Sequence, residues 1–299
     1  MGAEIAHAFP AGAQVFEKAN EVVGFDLRSV CFEGPAEQLN STTVSQPAIF
    51  TTSAAILEVL RTASAAGDIH PDVTAGLSLG EYTALYAAGL IGFEDALRLV
   101  HKRGQAMQAA ADATEGAMVS IIGLDDETVR RLCEEAGEGE LLEPVNFNCP
   151  GQVVISGNRK ACRMAKELAV KCGAIKAVRL EVAGAFHTEM MSSAAEALAE
   201  ALADCKIAEP SHIQTMANID AEYYQSSKEI KEGLVRQLTQ PILWQDCMER
   251  LLADGIETFY EIGPGRVLTG LMRRINRKTE IVNLSSLRAV KELLAESPG

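Results

Sequence analysis

A serine between two glycines is the first group in this chain that could act as a nucleophile. Residues 76–80 read Gly-Leu-Ser-Leu-Gly, the G-x-S-x-G pattern of a nucleophile elbow. The pattern predicts that Ser78 stands on a sharp turn after a strand at 73–75 and before a helix at 81–88. Free N–H groups at the start of that helix would stabilise a negatively charged oxygen. The alternative is a chance match in a glycine-containing turn between a strand and a helix.

A serine needs a base to react at neutral pH, and the chain has five histidines. Four of them fall near the N-terminus, in polar loops or within a basic helical turn. His187 instead lies between a predicted strand and a predicted helix, where the ligand crevices of open α/β sheets form. We therefore expect His187 to be the base of Ser78; a histidine that caps a helix is the alternative.

Arg103 is a candidate ligand for a substrate carboxylate. It lies in a predicted amphipathic helix at 94–111, which begins soon after the helix that follows the serine. A guanidinium could hold a carboxylate through two parallel hydrogen bonds. The alternative is an exposed arginine on a solvated helix face, and bare residue statistics favour that alternative.

The elements that must position these residues alternate between strands and helices. Outside residues 115–183, helices are predicted at 12–22, 47–65, 94–111, 188–206, 227–238 and 266–276, and a strand at 258–262. Between 115 and 183 the order is strand, helix, strand, strand, helix, strand, which is the order of a ferredoxin-like unit. Its strands are predicted at 117–123, 143–147, 152–156 and 174–182, and its helices at 126–136 and 158–171. The pattern predicts an α/β fold with a mainly parallel sheet and a small inserted subdomain.

The composition excludes several classes of protein. Hydrophobic residues make up 47% of the 299 residues and charged residues 23%, as in ordinary globular proteins. The net charge of −14 argues against a nucleic-acid partner, which requires a basic footprint. No apolar run has the length of a membrane span, and no signal peptide is visible, so no membrane partner is expected.

The cysteines indicate the redox compartment. Seven of them are scattered along the chain without a C-x-x-C pair, which predicts a reducing compartment rather than a disulfide framework. The bacterial cytoplasm, the plastid stroma and the mitochondrial matrix all satisfy that condition. No Cys/His cluster has the spacing of a metal site, so we expect no metal.

Five segments together resemble the malonyl-CoA:acyl carrier protein transacylase family. They occur in that family's order, and the resemblance runs from about residue 15 to residue 285. The segments are Gly76-Leu-Ser-Leu-Gly-Glu-Tyr-Thr-Ala-Leu85, Arg103-Gly-Gln-Ala-Met-Gln108, Asn148-Cys-Pro-Gly-Gln-Val-Val-Ile-Ser-Gly157, Gly184-Ala-Phe-His-Thr188 and Glu261-Ile-Gly-Pro-Gly-Arg-Val-Leu-Thr-Gly270. The resemblance implies an α/β-hydrolase-like core at 1–114 and 184–299, with a ferredoxin-like subdomain inserted at 115–183.

The resemblance also implies a role for each residue that matches the family's motifs. Ser78 would be the acyl-accepting nucleophile, His187 its base, and Arg103 the cation that grips the malonyl carboxylate. Gln237 would orient the histidine through its backbone carbonyl. Leu79 would donate its N–H to the oxyanion.

The implied reaction moves a malonyl group from malonyl-CoA to the phosphopantetheine thiol of acyl carrier protein, through a malonyl-serine. Met107 and Phe186 are expected to line the acyl pocket, where phenylalanine before the histidine is typical of malonyl rather than methylmalonyl selectivity. No cofactor is implied, because the CoA thioester is itself a substrate. A polyketide-type acyltransferase, a serine esterase or thioesterase, and a non-catalytic scaffold that binds the carrier protein are the alternatives.

Acyl carrier protein is acidic, as is this chain, so docking would need a local basic patch. Four basic residues in six provide one at the end of the predicted helix at 266–276: Arg273, Arg274, Arg277 and Lys278. The alternative is a solvated helix end whose cations interact favourably with the helix dipole. We expect the chain to be a monomer.

Two departures from the family's pattern affect these expectations. Leu77 stands before the nucleophile where many members carry histidine, and the elbow should tolerate that change. The family also begins with a strand and a glycine-glutamine-glycine loop that supplies the second oxyanion donor, farther upstream of the serine than residue 1. Residues 9–14 look similar but lie too close to the serine. We therefore expect an N-terminally truncated chain, and loss of one oxyanion donor typically lowers turnover by about 10²–10³.

Overall fold

Helices surround three small sheets in the structure, a computed structural model that describes residues 1–63 and 70–296. The helices are α1 (Ala3–Ala8), α2 (Pro10–Val23), α3 (Leu27–Glu33), α4 (Ala36–Leu39), α5 (Thr42–Thr62), α6 (Gly80–Ala87), α7 (Phe93–Asp112), α8 (Asp126–Gly137), α9 (Arg159–Lys171), α10 (Ser192–Ala203), α11 (Ser227–Arg236), α12 (Trp244–Ala253), α13 (Val267–Ile275) and α14 (Leu287–Glu296). The strands are β1 (Val73–Thr74), β2 (Gly116–Ile122), β3 (Leu142–Cys149), β4 (Gln152–Asn158), β5 (Lys176–Arg179), β6 (Gln214–Thr215), β7 (Thr258–Ile262) and β8 (Glu280–Leu284). A 3₁₀ turn at Glu189–Met191 precedes α10.

The four strands β2 to β5 form the antiparallel sheet of the ferredoxin-like unit, in the order β3-β4-β2-β5. Alternate residues of β2 face opposite sides of that sheet. Ala117, Val119 and Ile121 belong to the core that includes α8 and α9. Met118 instead joins a cluster with Val182 and Phe186 on the other side. The sheet therefore has one face under its own helices and one face toward the rest of the molecule.

The rest of the molecule carries two parallel pairs of strands, β1 with β6 and β7 with β8. The predicted α/β fold with parallel strands is confirmed. The pairs remain separate sheets among the described residues, since β1 and β6 are only two residues long each. The main hydrophobic core is helical and lies chiefly between α2, α5, α7 and α10.

Helix α5 begins earlier than the sequence predicted. The expected start was Pro47, but the helix starts at Thr42 and carries Pro47 inside it. A proline inside a helix removes one hydrogen bond and costs about 3 kcal/mol. Burial offsets that cost, because every residue from Phe50 to Leu57 is buried. The early start brings Gln46 into the helix. The last two residues of the predicted helix lie outside the described residues.

Strand β5 is shorter than the predicted strand at 174–182. Regular pairing with β2 ends at Arg179, and one further bond joins the Leu180 N–H to the Met118 carbonyl at 2.9 Å. The chain then leaves the sheet, because Val182 packs with Phe186 in a cluster between the two units. Residues 181–183 are thereby free to line a cavity in place of a strand edge.

Close approach of two segments fixes the path that leads to His187. A Cβ added to Gly184 would lie 2.6 Å from the Cβ of Ala111 in α7, so only glycine fits there. Two residues later the Ser156 hydroxyl donates to the Phe186 carbonyl at 2.8 Å. The histidine therefore follows a segment held between α7 and β4.

No helix in the described ranges combines the length and the apolar character needed to cross a bilayer. The seven cysteines, all of which lie in those ranges, are free thiols.

Candidate active site

Ser78 stands on a strained turn between β1 and α6. Its φ of 51° lies in the left-handed region, which non-glycine residues rarely adopt. A Cβ on Gly76 would lie 2.0 Å from the Gly80 carbonyl oxygen, so the first glycine of the motif is required by crowding. A Cβ on Gly80 would meet nothing within 4 Å, so the crowding acts at one glycine only. Backbone strain of this kind is typical of functional sites that the surrounding structure holds in place.

The side chain of Asn218 holds this turn from the loop after β6. Its Oδ1 accepts from the Ser78 N–H at 2.6 Å, and its Nδ2 donates to the Gly76 carbonyl at 2.8 Å. Asn218 is 1% exposed, so both bonds are shielded from water. One amide thus satisfies a donor and an acceptor on either side of the elbow.

Ser78 and His187 form the pair that the sequence predicted. The serine Oγ lies 3.0 Å from the histidine Nε2, and the histidine Nδ1 lies 2.7 Å from the Gln237 carbonyl oxygen. A carbonyl can only accept, so Nδ1 carries the proton and the neutral ring presents Nε2 as an acceptor to the serine hydroxyl. The orienting group is the backbone carbonyl of Gln237, where a triad would use a carboxylate.

Burial, and to a smaller extent the nearby Arg103 charge, lower the pKa of His187 to about 4, although the bond to Gln237 opposes both. The imidazole is therefore neutral near pH 7 and available as a base. His187 also has a positive φ of 62°, the second such residue in the site.

Arg103 is buried at 1% exposure, contrary to the statistical expectation of a solvated arginine. Its Nη2 donates to the Ser78 Oγ and to the Gln237 Oε1, both at 3.0 Å, and its Nη1 donates to the Gln46 Oε1 at 2.6 Å. Its Nε has no partner in the described structure. All three of these acceptors are neutral.

No ion pair among residues 1–63 and 70–296 includes Arg103. Burial lowers the pKa of this guanidinium, but arginine still remains charged at neutral pH. The Glu81 carboxyl acts on Arg103 electrostatically without a direct ion pair, and a buried cation without such a pair is costly. The site is therefore prepared for a ligand that brings a negative charge.

Glu81 is a buried carboxyl that the sequence reasoning missed. It is 0% exposed and accepts from the Gln237 Nε2 at 2.9 Å, from the Asn218 N–H at 3.2 Å and from the Tyr224 hydroxyl. Burial raises the pKa of Glu81 to about 7, although these bonds lower it. The only signal was its position directly after G-x-S-x-G; nothing in the spacing of Asn218 or Tyr224 pointed to the site.

Gln237 therefore does more than the predicted carbonyl role. Its Nε2 donates to the Ser78 carbonyl at 3.0 Å as well as to Glu81, while its Oε1 accepts from Arg103. The side chain thus joins the elbow, the buried cation and the buried carboxyl. Gln237 contacts the reacting groups but does not line the cavity.

A cavity of about 300 Å³ opens onto these groups. Six of the seven predicted site residues line it: Ser78, Leu79, Arg103, Met107, Phe186 and His187. Gln46, which sequence reasoning missed, lines it too and donates its Nε2 to the Met107 Sδ at 3.4 Å. The Leu79 N–H, at the start of α6, has no hydrogen-bond acceptor among residues 1–63 and 70–296. Within the described ranges, no group of three His, Cys, Asp or Glu residues has a metal-binding arrangement.

The geometry supports acyl transfer through a serine ester. A hydroxyl that faces a neutral imidazole can lose its proton as it attacks a carbonyl carbon. The free N–H of Leu79 and the helix start can stabilise the oxyanion. Arg103 adds a requirement for a negatively charged acyl group.

Comparisons with known proteins agree with this geometry. The acyl transferase domain family matches residues 1–290. Two malonyl CoA-acyl carrier protein transacylases are each 42% identical to this chain. The one from Bacillus subtilis aligns over 97% of this chain and 90% of its own length. The one from Escherichia coli aligns over 92% of this chain and 88% of its own.

Solved structures show the same fold. A malonyl CoA-acyl carrier protein transacylase from Coxiella burnetii has a TM-score of 0.94 at 35% identity, covering 100% of this chain and 93% of its own. An acyl carrier protein S-malonyltransferase from Vibrio cholerae has a TM-score of 0.92 at 41% identity, covering 98% and 94%. A malonyl-transacylase in complex with a type II PKS acyl-carrier protein has a TM-score of 0.94 at 40% identity, covering 99% and 94%.

Proposed function

This chain belongs to the acyl transferase domain family, and from that membership we propose that it transfers a malonyl group from malonyl-CoA to acyl carrier protein. The acceptor is the phosphopantetheine thiol of the carrier, and the intermediate is a malonyl ester on Ser78. The relatives with 42% identity carry the name of this activity. The buried, unpaired Arg103 beside the nucleophile is the observation that carries the choice of a malonyl over a neutral acyl group.

In the first half of the reaction the Ser78 Oγ attacks the thioester carbonyl carbon of malonyl-CoA. The hydroxyl proton passes to the His187 Nε2, 3.0 Å away in the free protein. The Leu79 N–H donates to the oxyanion that forms on the carbonyl oxygen. The C–S bond then breaks, and the CoA sulfur leaves with the proton from His187.

In the second half the same groups act on the carrier protein. The pantetheine thiol gives its proton to His187 and attacks the ester carbonyl of malonyl-Ser78. The C–O bond breaks, and the Ser78 oxygen recovers the proton. Malonate leaves as a thioester of the carrier. Ser78, His187 and Arg103 supply the nucleophile, base and cation, so the proposed reaction uses no cofactor.

Arg103 also couples substrate choice to base strength. In the free protein its charge lowers the pKa of His187. A malonyl carboxylate that pairs with Arg103 offsets that charge, so the pKa of His187 rises toward its usual value. The histidine is then a stronger base when the acyl group carries a carboxylate than when it does not. A neutral acetyl group gains neither the ion pair nor this activation.

A polyketide-type acyltransferase is the second candidate, because one structural neighbour was solved with a type II PKS acyl-carrier protein. The two candidates share the chemistry at Ser78 and differ in the carrier. Parallel assays with one carrier from each pathway distinguish them. A hydrolase is a third candidate, but it has no use for a buried Arg103.

The predicted basic patch at the end of α13 is a finer proposal for carrier docking. Arg273 and Arg277 are exposed, whereas Arg274 donates to the Gln152 Oε1 at 2.8 Å and the Pro150 carbonyl at 2.9 Å. Arg274 therefore also has a structural role between the units. Charge reversal of Arg273 should raise the KM for carrier protein and leave the KM for malonyl-CoA unchanged.

The proposal also includes the oligomeric state and the compartment. The protein acts as a monomer in a reducing compartment, such as the plastid stroma, the mitochondrial matrix or the bacterial cytoplasm.

The transfer assay uses the full chain, malonyl-CoA and either holo or apo acyl carrier protein. Mass spectrometry of the carrier should show malonyl groups on the holo form only, because the apo form lacks the thiol. Free malonate should form slowly. Release of free malonate at an equal rate with either form would favour the hydrolase and contradict the transfer reaction.

A further inference from the structure

The ferredoxin-like unit carries a second concave surface, larger than the catalytic cavity. It encloses about 450 Å³ beside α9, β2 and β5, against about 300 Å³ for the catalytic cavity. One acidic side chain, Glu115, lines it. Its basic side chains are Arg159, Lys160, Arg163, Lys166 and Arg179. We call these five cations and their concavity the α9 surface.

The cations of the α9 surface form no ion pair with an acidic residue of the described part of the chain. None of them takes part in an ion pair within the described ranges, and all five are exposed. The chain as a whole has a net charge of −14, so a cluster of unpaired cations stands out from its surroundings. Such a local potential attracts an anionic partner.

The cations also share one face of a helix with an exposed apolar residue. Arg159, Arg163, Lys166 and Val170 are spaced four, three and four residues apart along α9, which places them on one side. The row is about 16 Å long at 1.5 Å per residue. Val170 is 61% exposed, and Ile175, just beyond the helix, is 83% exposed. A basic row that ends in exposed apolar side chains fits a protein surface.

An isolated phosphate group fits this arrangement less well. Arg159, Arg163 and Lys166 stand on successive turns of α9, so they form a row along the helix. The N–H groups at the start of α9 are occupied, because the Asn158 Oδ1 accepts from Lys160 at 2.8 Å and from Ala161 at 3.4 Å. The helix N-terminus is thus not left open as an anion site. An extended acidic face, such as an acidic helix, matches the row better.

The α9 surface and the catalytic cavity lie on opposite faces of the β2–β5 sheet, and one segment at its β5 edge borders both. Arg179 belongs to the former, and Glu181, Val182 and Ala183 line the latter. Only Leu180 lies between Arg179 and Glu181, so their Cα atoms are at most about 7 Å apart along the chain. We propose that the α9 surface is the main docking surface for an acidic face of acyl carrier protein, an inference that rests on the proposed transfer reaction. The tethered thiol of a carrier docked there then reaches the cavity around the β5 edge of the sheet.

The test is the double variant Arg163→Glu, Lys166→Glu in the full chain. The probe is holo acyl carrier protein of Escherichia coli. The KM for the carrier should rise at least about tenfold, since reversed charges repel an acidic partner. Malonylation of Ser78 by malonyl-CoA without carrier should keep its rate and KM. Thermal unfolding should be unchanged, because both side chains are exposed and unpaired.

The matched control is Arg273→Glu with Arg277→Glu, which changes the net charge equally at the end of α13. We expect it to raise the KM for the carrier much less. An unchanged KM in the α9 variant overturns the proposal, as does an equal rise in the control pair. A parallel rise in the KM for malonyl-CoA would assign the α9 surface to CoA phosphates and also overturn it. If the unaltered chain fails to malonylate Ser78, the transfer reaction itself is wrong, which is a separate and distinguishable result.

Discussion

The catalytic cavity and the α9 surface both carry unpaired positive charge, but in opposite surroundings. In the catalytic cavity a single guanidinium, Arg103, is 1% exposed and bonded only to neutral acceptors. On the α9 surface five cations stand in water. The first arrangement costs free energy that an incoming carboxylate recovers, whereas the second costs almost nothing.

The difference in burial predicts a difference in use. A buried charge acts at short range and distinguishes one acyl group from another. Exposed charges act over about a Debye length and mainly guide a partner to the surface. Removing the buried charge should therefore change which substrate reacts, and removing exposed charges should change how readily the carrier binds.

Replacement of the buried cation should have the largest effect. In Arg103→Gln, kcat/KM for malonyl-CoA should fall by about 10²–10³, because a desolvated pair with the carboxylate is lost. The value for acetyl-CoA should fall far less, so the malonyl-to-acetyl ratio collapses. Arg103→Lys keeps the positive charge but not the planar guanidinium that can donate two parallel hydrogen bonds. Its malonyl-to-acetyl ratio should therefore lie between those of the parent and Arg103→Gln. An unchanged ratio in Arg103→Gln would refute the role of Arg103 in substrate choice.

Loss of the Asn218 side chain, which holds the turn at Ser78, should slow the reactions of malonyl-CoA and acetyl-CoA alike. Asn218→Ala leaves the Ser78 N–H and the Gly76 carbonyl without their partner, and an unsatisfied buried group costs about 1–3 kcal/mol. We expect kcat to fall about tenfold to a hundredfold with malonyl-CoA and acetyl-CoA, at a constant ratio. Steady-state kinetics with both thioesters measure kcat and the malonyl-to-acetyl ratio. A shift in the ratio would mean that Asn218 affects selectivity and is no mere positioning residue.

Glu81 should make stability depend on pH. Its pKa rises from 4.5 to about 7 on folding, so the folded state holds the proton more tightly. The corresponding contribution to stability is fully present below pH 4.5 and is lost as the pH rises through about 7. It amounts to about 3 kcal/mol at 1.36 kcal/mol per unit.

His187 acts in the opposite sense over an overlapping range, because its pKa falls from 6.5 to about 4. The difference between the parent and Glu81→Gln isolates the Glu81 contribution. Urea unfolding between pH 4.5 and 7.5 should show the parent losing stability relative to the variant. Parallel curves would show that Glu81 ionises normally.

The acid limb of the rate profile tests the coupling between Arg103 and His187. For the free protein, kcat/KM should fall only as the pH drops toward about 4, where His187 becomes protonated. Removing the Arg103 charge raises the pKa of His187, so the limb of Arg103→Gln should move to higher pH. Profiles measured with acetyl-CoA suffice, because that thioester reacts with both the parent and Arg103→Gln. An acid limb at the same pH in both proteins would show that the Arg103 charge does not affect the pKa of His187.

Salt should produce the smallest effect and should separate the two regions. Raising NaCl from low concentration to about 0.3 M should increase the KM for holo carrier a few-fold, because exposed charges are screened. The malonyl-to-acetyl ratio of kcat/KM should stay constant, since both esters carry the same CoA phosphates and Arg103 is buried. A ratio that falls with salt would contradict the shielding of Arg103.

Local pattern was enough to predict much of the fold and the reacting pair. The elbow motif placed Ser78, and elimination among the histidines selected His187, which the structure brings within 3.0 Å of it. The βαββαβ order predicted the ferredoxin-like unit because its elements are short and strongly patterned. The predicted start of α5 at Pro47 was wrong, because a buried helix can tolerate a proline where an exposed helix could not.

The supporting groups could not be predicted in this way. Asn218 and Tyr224 reach Glu81 from segments more than a hundred residues away, and no spacing rule links them to the elbow. The burial of Arg103 is likewise a tertiary property, because an amphipathic helix does not show which of its polar residues faces a cavity. The resemblance suggested its role, and only the packing of α7 against α5 and the elbow shows that it is buried.

The covalent intermediate tests the central claim most directly. The full chain is mixed with malonyl-CoA in the absence of carrier, and the intact protein and its peptides are weighed. We expect one malonyl group on Ser78, none on Ser78→Ala, and its removal when holo acyl carrier protein is added. No adduct on the parent, or an equal adduct on Ser78→Ala, would contradict the account.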